Sequence, residues 1–154
     1  RHRCATAPVR PGGPNRGGGA PRLIVGLIPE AAGEMNDEMH QALTERRDLI
    51  ESRADAILDD AVAERSSWVA GVGPVPTDPP RAAAWRRSAR VIAAYRDRYR
   101  VTHATTLGAQ PESTAQRIDR ARAEVALRAI TQLNQPHDTR RSRSRSQEGP
   151  GVRL

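Results

Sequence analysis

The sequence predicts a mostly α protein: three amphipathic helices in a small open bundle or extended hairpin, flanked by disordered termini. Three observations predict it. Apolar residues recur at helical spacing in three separate segments. Each segment opens on a capping residue, Asn36, Asp78 or Ser113. Runs rich in Gly and Pro, "GVGPVP" and "LGAQPES", separate the segments, and Pro136 follows the last.

The outer boundaries come from composition. Residues 1–22 form a Pro/Gly/Arg-rich stretch without periodicity, and residues 136–154 an Arg/Ser-rich one, so both are expected to be disordered. Residues 23–135 remain for a single helical domain. Of the 154 residues, 37% are hydrophobic, 3% are aromatic and none is Phe. Such a chain packs a small core of Ala, Leu, Ile and Val rather than a large aromatic one. The run "RLIVGLIPE" (22–30) is β-branched and short. A lone strand has no partner to pair with, so an extended anchor is the preferred reading.

The first helix is expected from about Asn36 to Arg65. Met39, Leu43, Ile50, Ala54, Ile57 and Ala61 share one face of a 100° wheel, and Asp37, Asp48, Glu51, Asp55 and Asp59 the opposite one. Asp37 and Glu38 fall in the first turn, where the helix dipole favours acids. "SSW" extends the same period by a turn and brings Trp68 seven residues after Ala61.

The second helix, about 80–100, carries "PP" just after Asp78, where a missing N–H costs nothing. Trp85, Ser88, Ile92, Tyr95 and Tyr99 fall on one side and Arg86, Arg87, Arg90 and Arg98 on the other. A single-stranded nucleic-acid platform interleaves aromatic and basic groups on one surface. Here the period separates them, so Trp85, Ile92, Tyr95 and Tyr99 read as core anchors facing Ile50 and Ile57. The four arginines are the candidates for contact with DNA phosphates. A third helix, about 113–134, is expected to bury the stripe Ile118, Ala121, Val125, Ala129 and Leu133.

All 25 basic residues are Arg, against 18 acids, for a net charge of +7. A Lys-free chain rich in Ala, Arg and Pro looks like the translation of a GC-rich genome, so part of this charge is codon bias and not function. Its distribution is uneven. Residues 34–73 hold ten acids and four arginines, and residues 74–135 eleven arginines and five acids. Two readings follow: an antiparallel pairing of an acidic and a basic helix, or two separately solvated faces.

Catalytic signatures are missing. Without Lys there is no Gly-x-x-x-x-Gly-Lys-Ser/Thr phosphate loop. His2, His40, His103 and His137 make no i, i+4 metal pair, and Cys4 is alone. No Gly-x-Ser-x-Gly elbow occurs. The expectation is a chain with no enzyme activity of its own, no cofactor, no metal, no membrane contact and a cytoplasmic location.

Three blocks carry a resemblance: "PRLIVGLIPEAAG" (21–33), "MHQALTERRDLIESRADAILDDAV" (39–62) and "DPPRAAAWRRSARVIAAYRDRYRV" (78–101). In that order they resemble the C-terminal region of actinobacterial MobF-class conjugative relaxases, the TrwC/TraI type. The resemblance covers roughly residues 21–135 and implies a helical tail behind a DNA-nicking relaxase domain and an ATP-dependent helicase domain. That family's catalytic tyrosines, metal-binding histidines and nucleotide-binding loop lie upstream of such a tail, so none carries over to this chain. The Arg/Ser tail departs from the family. The implied work is interaction with the relaxase-helicase body or another transfer protein, with weak non-specific contact to the DNA backbone. The alternatives are a stand-alone Arg-rich nucleic-acid-binding protein, suggested by "RSRSRS" (141–146), and a non-functional remnant of a larger gene.

Overall fold

Capping and turn chemistry set the element boundaries. The computed structural model describes residues 22–135. In order these form β1 (Leu23–Ile24), β2 (Ile28–Pro29), α1 (Asp37–Ala63), α2 (Ser67–Val72), α3 (Pro79–Arg98) and α4 (Thr114–Asn134). Of the disorder expected over 1–22 and 136–154, residues 1–21 and 136–154 lie outside the described residues, while Arg22 O accepts from Glu30 N at 2.8 Å.

The three long helices begin where their caps place them. Asn36 Oδ1 accepts from Met39 N at 2.8 Å, Asp78 Oδ2 from Arg81 N at 3.1 Å, and Ser113 Oγ from Gln116 N at 3.1 Å. Two of them end on an arginine in the left-handed region. Arg65 has φ 52° and Arg100 φ 49°. Beyond each, an N–H reaches back to the last turn: Ser66 to Ala61 O at 2.9 Å, and Val101 to Arg96 O at 2.9 Å.

The reversal at Arg65 corrects the expected helix count. The first helix does not run on through "SSW". The chain turns there and starts a fourth, short helix, α2, which buries Trp68 and Val72. A second correction concerns "RLIVGLIPE". It is not an extended anchor but a small antiparallel hairpin, pairing Leu23 with Pro29 and Ile24 with Ile28. The missing strand partner is the other half of the same run. Val25 (φ 46°) and Gly26 (φ 70°) reverse the chain between them, and Leu27 N donates to Ile24 O at 3.0 Å. Gly26 is also required by space, since a Cβ there would stand 2.9 Å from Val91 Cγ2.

Helix α3 packs on both α1 and α4, most extensively on α4. The hairpin ties the layer together, because Val25 N donates to Glu51 on α1 and Leu27 O accepts from Arg122 on α4. The core is formed by Leu27, Leu58, Trp85, Ile92, Tyr95 and Ile130, all essentially inaccessible, with alanines at 89, 93 and 123 letting the helices approach. Of the expected anchors, Trp85, Ile92 and Tyr95 are fully buried, while Tyr99, Ile57 and Ile50 are half-buried. Met39, expected on the buried face of α1, is 52% exposed. That face narrows to Ala54, Leu58 and Ala61.

A third correction concerns α4. Its buried face is Asp119, Ala123, Ala126 and Ile130, not the stripe from Ile118 to Leu133. Ile118 is 50% and Val125 58% exposed. The helix carries two apolar stripes side by side. The one rich in alanine packs closely against α3, and the bulkier one lies beside the contact.

Candidate interaction surface

The charge segregation of the sequence becomes a set of interhelical ion pairs. Arg86 pairs with Asp59, and Arg90 with Glu51. The Arg90 Nε also lies 2.7 Å from Asp55 Oδ1, a charge contact whose angle does not make it a hydrogen bond. At the far end the direction of charge reverses: Arg53 on α1 donates twice to Asp97 on α3, at 2.7 and 2.8 Å. From Asp59–Arg86 through Asp55–Arg90 to Arg53–Asp97, residue numbers fall on α1 as they rise on α3, so the helices are antiparallel. The hydrogen bonds from Arg53 hold the Asp97 carboxyl below its ordinary range.

The four candidate phosphate-binding arginines therefore do not share one wet face. Arg86 and Arg90 turn sideways onto α1. Arg98 lies 3.5 Å from Asp119 Oδ2, with its guanidinium 5.8 Å from the Tyr99 ring centre. Arg87 alone of the four has no carboxylate partner among the described residues, and it points into the furrow between α3 and α4.

Sequence reasoning missed the arginine with the largest structural role. Arg96 is buried, with 9% of its surface exposed. It donates to four backbone carbonyls: Thr105 at 2.8 Å and Thr106 at 3.0 Å through Nη1, and Val101 and His103 at 2.9 Å through Nη2. Its guanidinium also stacks 5.2 Å over Trp68. Burial lowers its pKa, though it remains a cation at neutral pH. The loop after α3 is thus wrapped around a fixed charge. The signal was available: Arg96 falls four residues after Ile92 and seven after Ala89, on the apolar side of the wheel.

Asp119 is the buried carboxylate of the fold. It accepts from the Tyr99 hydroxyl at 2.7 Å and from Arg122 Nη1 at 3.0 Å. The same Arg122 nitrogen donates to Leu27 O at 2.6 Å, so one polar chain joins α3, α4 and the hairpin. The Tyr95 and Tyr99 rings pack beside it, their centres 5.1 Å apart and their planes inclined by 47°. Desolvation by burial, then the hydrogen bond to Asp119 and its charge, push the Tyr99 hydroxyl pKa upward.

The concave surfaces of the described residues include these two. One, of about 510 Å³, lies between the hairpin and the start of α1, with Ile28, Leu43 and Ile50 inside and Arg22 and Arg46 at its edge. The other is the furrow between α3 and α4. Among the described residues, no group of three or more His, Cys, Asp or Glu could hold a metal ion, and no helix is long and apolar enough to cross a membrane. No family model, curated protein or solved structure matches the chain.

Proposed function

We propose that this chain is a non-catalytic helical interaction domain, of the kind that forms the C-terminal tail of MobF-class relaxase-helicases. In this reading it binds the body of such a protein, or another transfer protein, during plasmid transfer. One observation carries the choice of interaction over nucleic-acid binding: Arg86 and Arg90 are engaged by the carboxylates of α1. A phosphate-binding face needs cations within reach of the backbone. Here two of the four candidates serve assembly, and DNA contact is left as a weak, sequence-independent side activity.

Sequencing the DNA immediately upstream of the codon for Arg1 tests the family reading. An open frame continuing into a helicase-like segment supports it, and that segment should then co-purify with this domain when the two are expressed as separate chains. A start codon with its own ribosome-binding site at this point overturns it.

A further inference from the structure

We infer that the furrow between α3 and α4 receives the apolar face of an acidic amphipathic helix from a partner protein, an inference that rests on reading the chain as an interaction domain. Two contiguous hollows, of about 390 and 360 Å³, share Arg87, Ser88 and Ala129 and form this furrow. Apart from Ser88 and Gln132, its uncharged lining is apolar, from Val91 and Ala126 at the hairpin end to Leu133 at the other. Val125, 58% exposed, stands on its wall. These belong in part to the second apolar stripe of α4, which the fold leaves uncovered. A helix with one stripe packed and a bulkier stripe exposed beside it marks a surface for another apolar element.

Charge selects the kind of element. Along the seam of α1 and α3 the arginines are matched by carboxylates. No Asp or Glu lines the furrow. Arg81 and Arg87 border it without a carboxylate partner among the described residues. Arg122 stands at the hairpin end, already engaged by Asp119. An occupant must therefore bring apolar side chains for the floor and carboxylates for the rim. Two antiparallel helices presenting a furrow of this composition accept a third helix by its i, i+3, i+4, i+7 side chains. The chain's own terminal segments do not fit this chemistry. Residues 1–21 contain four arginines and no acid, and residues 136–154 five arginines and two acids. Nucleic acid would satisfy the arginines but not the apolar floor.

The test uses the full chain and a fluorescein-labelled synthetic helix of roughly five turns, with Leu along one face and Glu flanking it. Fluorescence anisotropy at about 0.15 M salt keeps distant charge effects screened. The amphipathic peptide should bind at least about tenfold more tightly than a scrambled peptide of the same composition. Arg81→Glu with Arg87→Glu should weaken binding by about tenfold or more, as loss of a complementary charge pair does. Val125→Asp should do the same. Arg140→Glu with Arg141→Glu, in the tail, should change it by less than about threefold, the effect left to charges screened at this salt. Circular dichroism checks that each variant keeps its helices, and Val125→Asp stands in should the Arg81/Arg87 pair not fold.

Equal binding of the scrambled peptide, or loss of binding only in the tail variant, overturns the inference. So does self-association that Val125→Asp abolishes, which would make a second copy the occupant. Binding of single- or double-stranded DNA lost in the Arg81/Arg87 variant, with the peptide unaffected, would assign the furrow to nucleic acid. An upstream frame without a helicase, with peptide binding intact, removes the family reading and leaves this one standing.

Discussion

Tyr99 donates its hydroxyl proton to Asp119 across 2.7 Å, joining the end of α3 to the start of α4. Asp119 has only 7% of its side chain exposed, and the Tyr99 hydroxyl and Arg122 satisfy its oxygens. A buried carboxylate without such partners would be costly. The bond requires Tyr99 to keep its proton, and burial first, then this bond, push the hydroxyl pKa up.

The raised pKa has a pH consequence. The folded-state pKa lies above the ordinary 10.0, so the stabilisation is complete below pH 10 and is lost as pH rises through the folded value. Tyr99→Phe should cost about 1–2 kcal/mol at neutral pH, the penalty for a lost donor to a buried acceptor. Urea midpoints should fall less between pH 9 and pH 11 in the variant than in the parent. Parallel pH curves for the two proteins would sink this account.

Arg96 gives a second prediction. Arg96→Lys keeps the charge but offers three donors on a point-like head in place of a planar fork. It cannot reach four carbonyls spread over residues 101–106 and also stack on Trp68. The variant should lose about 2–3 kcal/mol, as when a hydrogen bond to a charged group is broken inside a fold. Amide exchange should quicken selectively at residues 101–108. A uniform increase across all helices, or none, would show that the loop is held by something else.

Much of this architecture was legible in the sequence. Asn36, Asp78 and Ser113 each cap the helix they were expected to start, because a cap is a local interaction that needs only neighbours in the chain. What escaped were features decided by space. The left-handed residue at Arg65 is not a glycine, so no composition signal marked the break before α2, and in the hairpin turn a single Gly26 beside Val25 was too little to mark the reversal. On α4, bulk favoured the stripe through Ile118 and Val125. Close packing instead chose the one through Ala123 and Ala126, whose small side chains let α3 approach. Arg96 escaped because its charge hid its position on the apolar face.

Trp85 tests the core itself. Its side chain is completely inaccessible in the cluster that joins Leu58 of α1 to Ile130 of α4. Trp85→Ala should cost on the order of 3 kcal/mol, as large-to-small changes in a packed core do. Denaturant unfolding followed at 222 nm measures it. A variant that unfolds at the same midpoint as the parent would mean that this cluster does not hold the domain together.

The arginines of α3 separate structure from DNA binding. Arg86 and Arg90 face Asp59, Glu51 and Asp55, so replacing both with Ala leaves three carboxylates without their partners. The cost should be modest, about 1 kcal/mol, because partly exposed ion pairs contribute little individually. Arg90 should account for most of it, being the more enclosed at 24% side-chain exposure against 44% for Arg86. Binding to DNA should change little in the same variant, since both guanidiniums are already engaged by carboxylates of α1. Whatever affinity the full chain has should be indifferent to sequence and fall steeply with salt, through release of condensed counterions. It should instead drop when Arg140, Arg141, Arg143 and Arg145 are replaced together, because those residues form the densest run of positive charge in the chain. Filter binding or anisotropy with one duplex and one single strand, at two salt concentrations, measures all three proteins. Loss of DNA binding in the Arg86/Arg90 variant, with stability unchanged, would reverse the assignment and make that face of α3 a nucleic-acid surface.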